Sequence, residues 1–205
     1  MEPRVEVLAR GGTLAVEQNR VLRNTYLLLA LTMVPTVIGA AIGMATGGII
    51  VKYPIISFLV MLGAVIGLQY AIAANRDSGL GVALLLAMTF LLGWFLGPLL
   101  SAALSLRNGA QLVGMAAAGT GIVFFTMGAI ATTSKSDFSF MGKFLFVGMI
   151  VLLLAMLANM FFQIPALALT LSAMVVVLFS MFLLYDLSRI VNGGETNYIM
   201  AATGV

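Results

Sequence analysis

Between Phe144 and Tyr185 the sequence runs for 42 residues without a charged side chain, and only Gln163-Ile164-Pro165 interrupts the run. At about 1.5 Å of rise per residue, one helix of that length would reach about 63 Å, roughly twice the hydrocarbon thickness of a bilayer. The run must therefore fold back as two spans. Pro165 marks the turn, because it lacks an N–H and pushes Ile164 out of helical geometry.

The composition fits a chain whose solvent is lipid. It is 62% apolar and 8% charged, with a mean hydropathy of +1.15, whereas soluble domains are about 25% charged. The expected fold class is an all-α integral membrane protein. Cysteine and histidine are both absent, which excludes disulfides, Cys/His zinc sites, histidine-ligated haem and any triad with an imidazole base. Ten basic and seven acidic residues give a net +3. With so few charges, this reports membrane topology rather than a nucleic-acid partner.

Residues 1–25 read as a polar tail, with Arg4, Arg10, Arg20 and Arg23 among Glu2, Glu6 and Glu17. It has no apolar stretch of the kind a secretory leader needs, and Gly11-Gly12 is not expected to order it. Uncharged stretches follow at 26–51, 53–75, 78–106 and 108–134, each longer than the roughly 20 residues that span a bilayer. With the split run they make six spans, giving a bundle over 26–191 followed by a loop and the first turns of a further helix over 192–205. The short separators predict antiparallel neighbours within one bundle.

The basic residues set the expected orientation. With the N-terminus cytoplasmic, the inner segments hold Arg4, Arg10, Arg20, Arg23, Arg76, Lys135, Lys143 and Arg189, leaving Lys52 and Arg107 outside. All seven acidic residues then fall inside, so the outer face offers no acidic ring for cations.

Within the spans, packing signals outnumber chemical ones. Gly39, Gly43 and Gly47, then Gly63 and Gly67, then Gly93 and Gly97 recur at four-residue spacing, which lets helix backbones approach closely. The same glycines read as hinges only if the spans move. Asn159 and Gln69 suit interhelical hydrogen bonds, with a polar path as the alternative. Met149, Met156 and Met160 share a face in the fifth span, but methionine is a common gap-filler and no harder ligand accompanies them, so no metal site is expected. Gly119-Thr-Gly121 lacks the third glycine and the preceding strand of a nucleotide-binding turn.

Asp186 follows Leu183-Leu184-Tyr185 near the end of the sixth span. A charge at a helix centre costs ~2.5–3.5 kcal/mol, which makes an acid within a span a functional candidate. Counted from Pro165, however, it lies about 31 Å along the helix, near the interface, where Arg189 at i+3 can pair with it. A buried acid here would respond to pH; a solvated one paired to Arg189 would not.

Four segments together carry a resemblance. Val21-Leu-Arg-Asn-Thr-Tyr26, Gly93-Trp-Phe-Leu-Gly-Pro98, Asp137-Phe-Ser-Phe-Met-Gly142 and the segment from Tyr185-Asp-Leu-Ser-Arg189 through Gly193, Gly194, Glu195, Thr196, Asn197 and Tyr198 resemble the Bax inhibitor-1 (TMBIM) family, and within it the bacterial YccA-like branch. The resemblance runs from Val21 onward, and its last segment, with GGETNYI at 193–199, is the most specific part.

That resemblance implies a bundle of six helices around a seventh in the bacterial inner membrane. After Glu195 the sequence looks like the first turns of that helix, with Thr196 or Asn197 able to cap it. The expectation is that the 205 residues belong to a longer reading frame. The family further implies two roles, neither of them enzymatic. One is modulation of the membrane protease FtsH, in company with HflK and HflC, with the N-terminal tail as a handle. The other is a pH-dependent Ca²⁺ leak, in which Asp186 matches one member of an aspartate pair and Ca²⁺ is the permeant ion rather than a cofactor. A secondary transporter is disfavoured by the lack of ionisable residues at mid-depth in the first five spans.

Overall fold

The computed structural model describes residues 3–134, 137–138, 140–192 and 194–205, with side chains from Arg20 onward. Among the described residues eight helices follow in order: α1 (Pro3–Thr46), α2 (Gly48–Lys52), α3 (Pro54–Ala74), α4 (Gly79–Leu104), α5 (Gly109–Thr133), α6 (Met141–Phe162), α7 (Pro165–Val191) and α8 (Tyr198–Gly204). No strand occurs among the described residues. Six segments are long and apolar enough to cross a membrane: Arg20–Thr46 within α1, then α3, α4, α5, α6 and α7. The chain is an all-α integral membrane protein.

The break in the long apolar run falls at Gln163. Its φ of 51° is left-handed, and Ile164 is extended at ψ 111° before Pro165 opens α7. Asn159 closes the turn, accepting the Ile164 N–H on its side-chain oxygen at 3.1 Å while its carbonyl accepts the Gln163 N–H at 2.7 Å. Asn159 therefore serves the turn rather than a polar path.

The polar N-terminal segment differs from expectation. Its backbone is helical from Pro3 and runs without interruption into the first span, through Gly11-Gly12. Two glycines cost a helix about 1 kcal/mol each relative to alanine, and the Leu, Arg, Glu and Ala around them are strong helix formers.

The described contacts divide the chain into two compact units, Met1–Ala118 with Glu195–Gly204, and Gly119–Gly194. In the first, the main partner of α1 is not the neighbouring α3 but α4, which runs in the same direction. Glycine makes this possible. A methyl at Gly39 would strike the Phe90 carbonyl, one at Gly43 the Trp94 carbonyl, and one at Gly47 the Pro98 ring; methyls at Gly93 and Gly97 would strike Thr36 and Gly43 in return. Gly63 and Gly67 of α3 differ, since among the described residues nothing beyond their own helix backbone lies within 4 Å of where their Cβ would stand. In this structure the glycine contact joins α1 to α4 and does not extend to α3.

The hydroxyls buried in α1 are satisfied locally. Thr25 and Thr32 donate to the carbonyls of Val21 and Leu29, as serine and threonine do within helices. A core of Leu28, Ile72, Leu85, Met88, Ile199 and Ala202 joins α1, α3, α4 and α8. In the second unit α6 and α7 form an antiparallel hairpin, and the Leu178 side chain fills the space beside Gly148. Large apolar side chains such as Phe161, Phe125 and Leu169 stand exposed, as a surface solvated by lipid requires.

Candidate functional site

The residues of the most specific sequence segment build two polar clusters, one in each unit. In the first unit, Asn197 caps α8. Its side-chain oxygen accepts the N–H groups of Ile199 and Met200 at 3.0 and 3.1 Å, satisfying two of the donors that a helix start leaves open. Asn197, rather than Thr196, is thus the cap. The amide end of the same side chain donates to the Arg76 carbonyl at 2.9 Å and to Asp77 Oδ1 at 2.8 Å. The Asn197 N–H meets Glu195 Oε1 at 3.2 Å.

One asparagine thereby fixes the start of α8 to the loop between α3 and α4. Below it Ile199, 1% exposed, enters the core, with its Cδ1 against Gly81. Gly81 also lies on the Asn75 carbonyl, so a larger residue there would lift the loop that Asn197 grips. Arg76 and Asp77 pair at 3.6 Å on the exposed side. Thr196 and Tyr198 flank the cap in exposed positions.

The second cluster lies at the C-terminal end of α7. Ser188 is fully buried, and its Oγ accepts the Phe138 N–H at 3.1 Å and the Asn192 side-chain amide at 3.0 Å. The Asp137-Phe-Ser-Phe-Met-Gly142 segment is thus anchored on α7. Gly142 lies under the Tyr185 ring, where a methyl would come within 2.9 Å of the ring edge. The helix end closes through Asn192 N–H to the Ser188 carbonyl and Gly194 N–H to the Arg189 carbonyl, both 2.9 Å or shorter. Gly193 lies outside the described residues.

Asp186 is half-buried on this end of α7. The expected ion pair with Arg189 is not formed among the described residues. The Arg189 guanidinium instead lies 5.7 Å from the centre of the Tyr185 ring, a cation–π arrangement. Ser188, two residues beyond Asp186, is the hub that a search for charge passed over. Its signal was the serine within Tyr185-Asp-Leu-Ser-Arg189, which is buried yet polar and so requires partners.

A family model described as "Inhibitor of apoptosis-promoting Bax1" matches residues 18–205. The chain belongs to the Bax inhibitor-1 family. Among its relatives, an Escherichia coli K12 protein named "Modulator of FtsH protease YccA" is 36% identical over 202 residues, covering 98% of this chain and 90% of the relative. The corresponding protein of Escherichia coli O6:H1, with the same identity and coverage, is named "Inner membrane protein YccA". An uncharacterised protein of Neisseria meningitidis serogroup A is 40% identical over 190 residues, covering 91% of this chain and 84% of the relative. This Bax inhibitor-1 member is accordingly a multi-pass inner-membrane protein, and both polar clusters fall within the matched residues.

Proposed function

We propose that this protein is a regulatory, non-enzymatic modulator of the FtsH membrane protease, acting in membrane-protein quality control. The observation that carries the reading is the 36% identity to the relative named for that role, sustained over 98% of this chain. The orientation that suits it is N-terminus cytoplasmic, from the distribution of basic residues. The helical backbone of α1 from Pro3 to the start of the first span at Arg20 then gives a protease a protruding element to engage. FtsH, in company with HflK and HflC, is the proposed partner assembly.

The test is complementation. In E. coli cells lacking YccA, expression of this chain is expected to lengthen the half-life of a membrane-protein substrate of FtsH measured by pulse-chase. An unchanged half-life, with the protein present in the membrane, would overturn the reading.

A proton-gated Ca²⁺ leak is a second reading, favoured by one observation: Asp186 is half-buried, and no ion pair holds its carboxylate among the described residues. Ca²⁺ flux into proteoliposomes at pH 6 and pH 8, with and without Asp186→Asn, separates the two readings. Flux whose pH response vanishes in the variant supports the leak, and no flux above empty liposomes rejects it.

A further inference from the structure

A cavity of about 270 Å³ opens at the end of the first unit away from the Asn197 cap. Ile50, Tyr53, Ile56 and Val60, from α2 and the start of α3, form one wall, and Trp94 and Phe95 of α4 form the other. Its lining is almost wholly apolar, and it is somewhat smaller than the pockets that take drug-sized ligands, which suits a slender acyl segment better than a ring system. One wall is fixed in place, because Trp94 Nε1 donates to Thr46 Oγ1 at 2.8 Å and α1 holds α4 through the glycine contact.

The charge at this end has one sign. The Lys52 ammonium lies 5.4 Å from the centre of the Tyr53 ring, which itself lines the cavity. Arg107 follows α4 at the same end and is exposed. The acidic residues described in this unit, Glu6, Glu17, Asp77 and Glu195, belong to segments at the other end of the spans. Tyrosine and tryptophan beside a lysine are the residues that meet lipid headgroups.

We propose that this cavity is a binding site for an anionic phospholipid, with an acyl chain between α3 and α4 and the headgroup phosphate at Lys52. The apolar walls supply chain contact, and the ammonium selects the anionic headgroup. The site is independent of the protease reading.

Native mass spectrometry of the purified, delipidated full chain tests it, with palmitoyl-oleoyl phosphatidylglycerol and the matching phosphatidylethanolamine as probes. Phosphatidylglycerol is expected to bind several-fold tighter. Lys52→Glu lowers its affinity about fivefold or more and that of phosphatidylethanolamine less, so the preference is lost, while Lys52→Arg retains it. Val60→Trp, which fills the cavity from a lipid-exposed position, lowers the affinity for phosphatidylglycerol. Excess inorganic phosphate leaves the lipid adduct in place. Equal binding of the two lipids, a preference that survives Lys52→Glu, unchanged binding by Val60→Trp, or displacement by phosphate would each overturn the proposal. Circular dichroism confirms that each variant is helical before it is scored.

Discussion

Asn197 donates its side-chain amide to the Asp77 carboxylate at 2.8 Å, joining residues 120 positions apart. The same side chain accepts the first N–H groups of α8. One residue thus begins a helix and positions it against the α3–α4 loop, which accounts for an asparagine in the most specific segment of the sequence.

Asn197→Ala removes the cap and the loop contacts together. An N-cap is worth about 1 kcal/mol and each of the two loop hydrogen bonds about 1 kcal/mol, so the loss is expected to be about 3 kcal/mol. It is read as a lower melting temperature in detergent and faster tryptic cleavage at Arg76. Asp77→Ala, which leaves the cap and the Arg76 carbonyl contact intact, is expected to cost about a third as much.

The α1–α4 contact separates glycines that look alike in sequence. Gly43→Ala drives a methyl into the Trp94 backbone and is expected to destabilise by about 1–3 kcal/mol. Gly63→Ala meets nothing within 4 Å and is expected to be neutral or stabilising by up to about 1 kcal/mol, because alanine is the better helix former. Thermal unfolding of the two variants side by side checks the contrast.

Ser188→Ala leaves the Phe138 N–H without its acceptor. A buried amide deprived of a partner costs about 1–3 kcal/mol, and the loss should be local. Hydrogen exchange is expected to accelerate at Phe138 and Asn192 while the core of the other unit, around Ile72 and Leu85, is unchanged.

Asp186→Asn keeps the size and removes the charge. Because Arg189 stacks on Tyr185 rather than pairing with Asp186, the substitution is expected to leave folding and FtsH modulation within twofold of the parent. Substrate half-life in cells and melting temperature are the readouts.

The six spans were legible because each rests on local physics: length, absence of charge, and a proline whose effect on Ile164 needs no tertiary information. The Gln163 turn fell where Pro165 put it. Partner choice was less legible. The glycine spacing of α1 and α4 announced close approach but not which helices meet, since spacing on one helix carries no register to another. Gly63 and Gly67 have the same spacing, yet among the described residues no neighbouring helix closes on them.

In the polar clusters, Asp186 and Arg189 were legible by their charge but Ser188 was not, because its role depends on Phe138, 50 residues upstream. A cap at Thr196 or Asn197 was legible because capping is local; that it is Asn197 was not. Its grip on Arg76 and Asp77 was not, because that contact exists only once α8 has settled into the core around Ile199.

The most direct test of the central claim is proteolysis by purified FtsH in liposomes containing a membrane-protein substrate, with this protein co-reconstituted in increasing amounts. The account predicts that the initial degradation rate falls in a saturable, dose-dependent way, and that the effect survives Asp186→Asn. A rate that stays constant as the folded protein is added would contradict it.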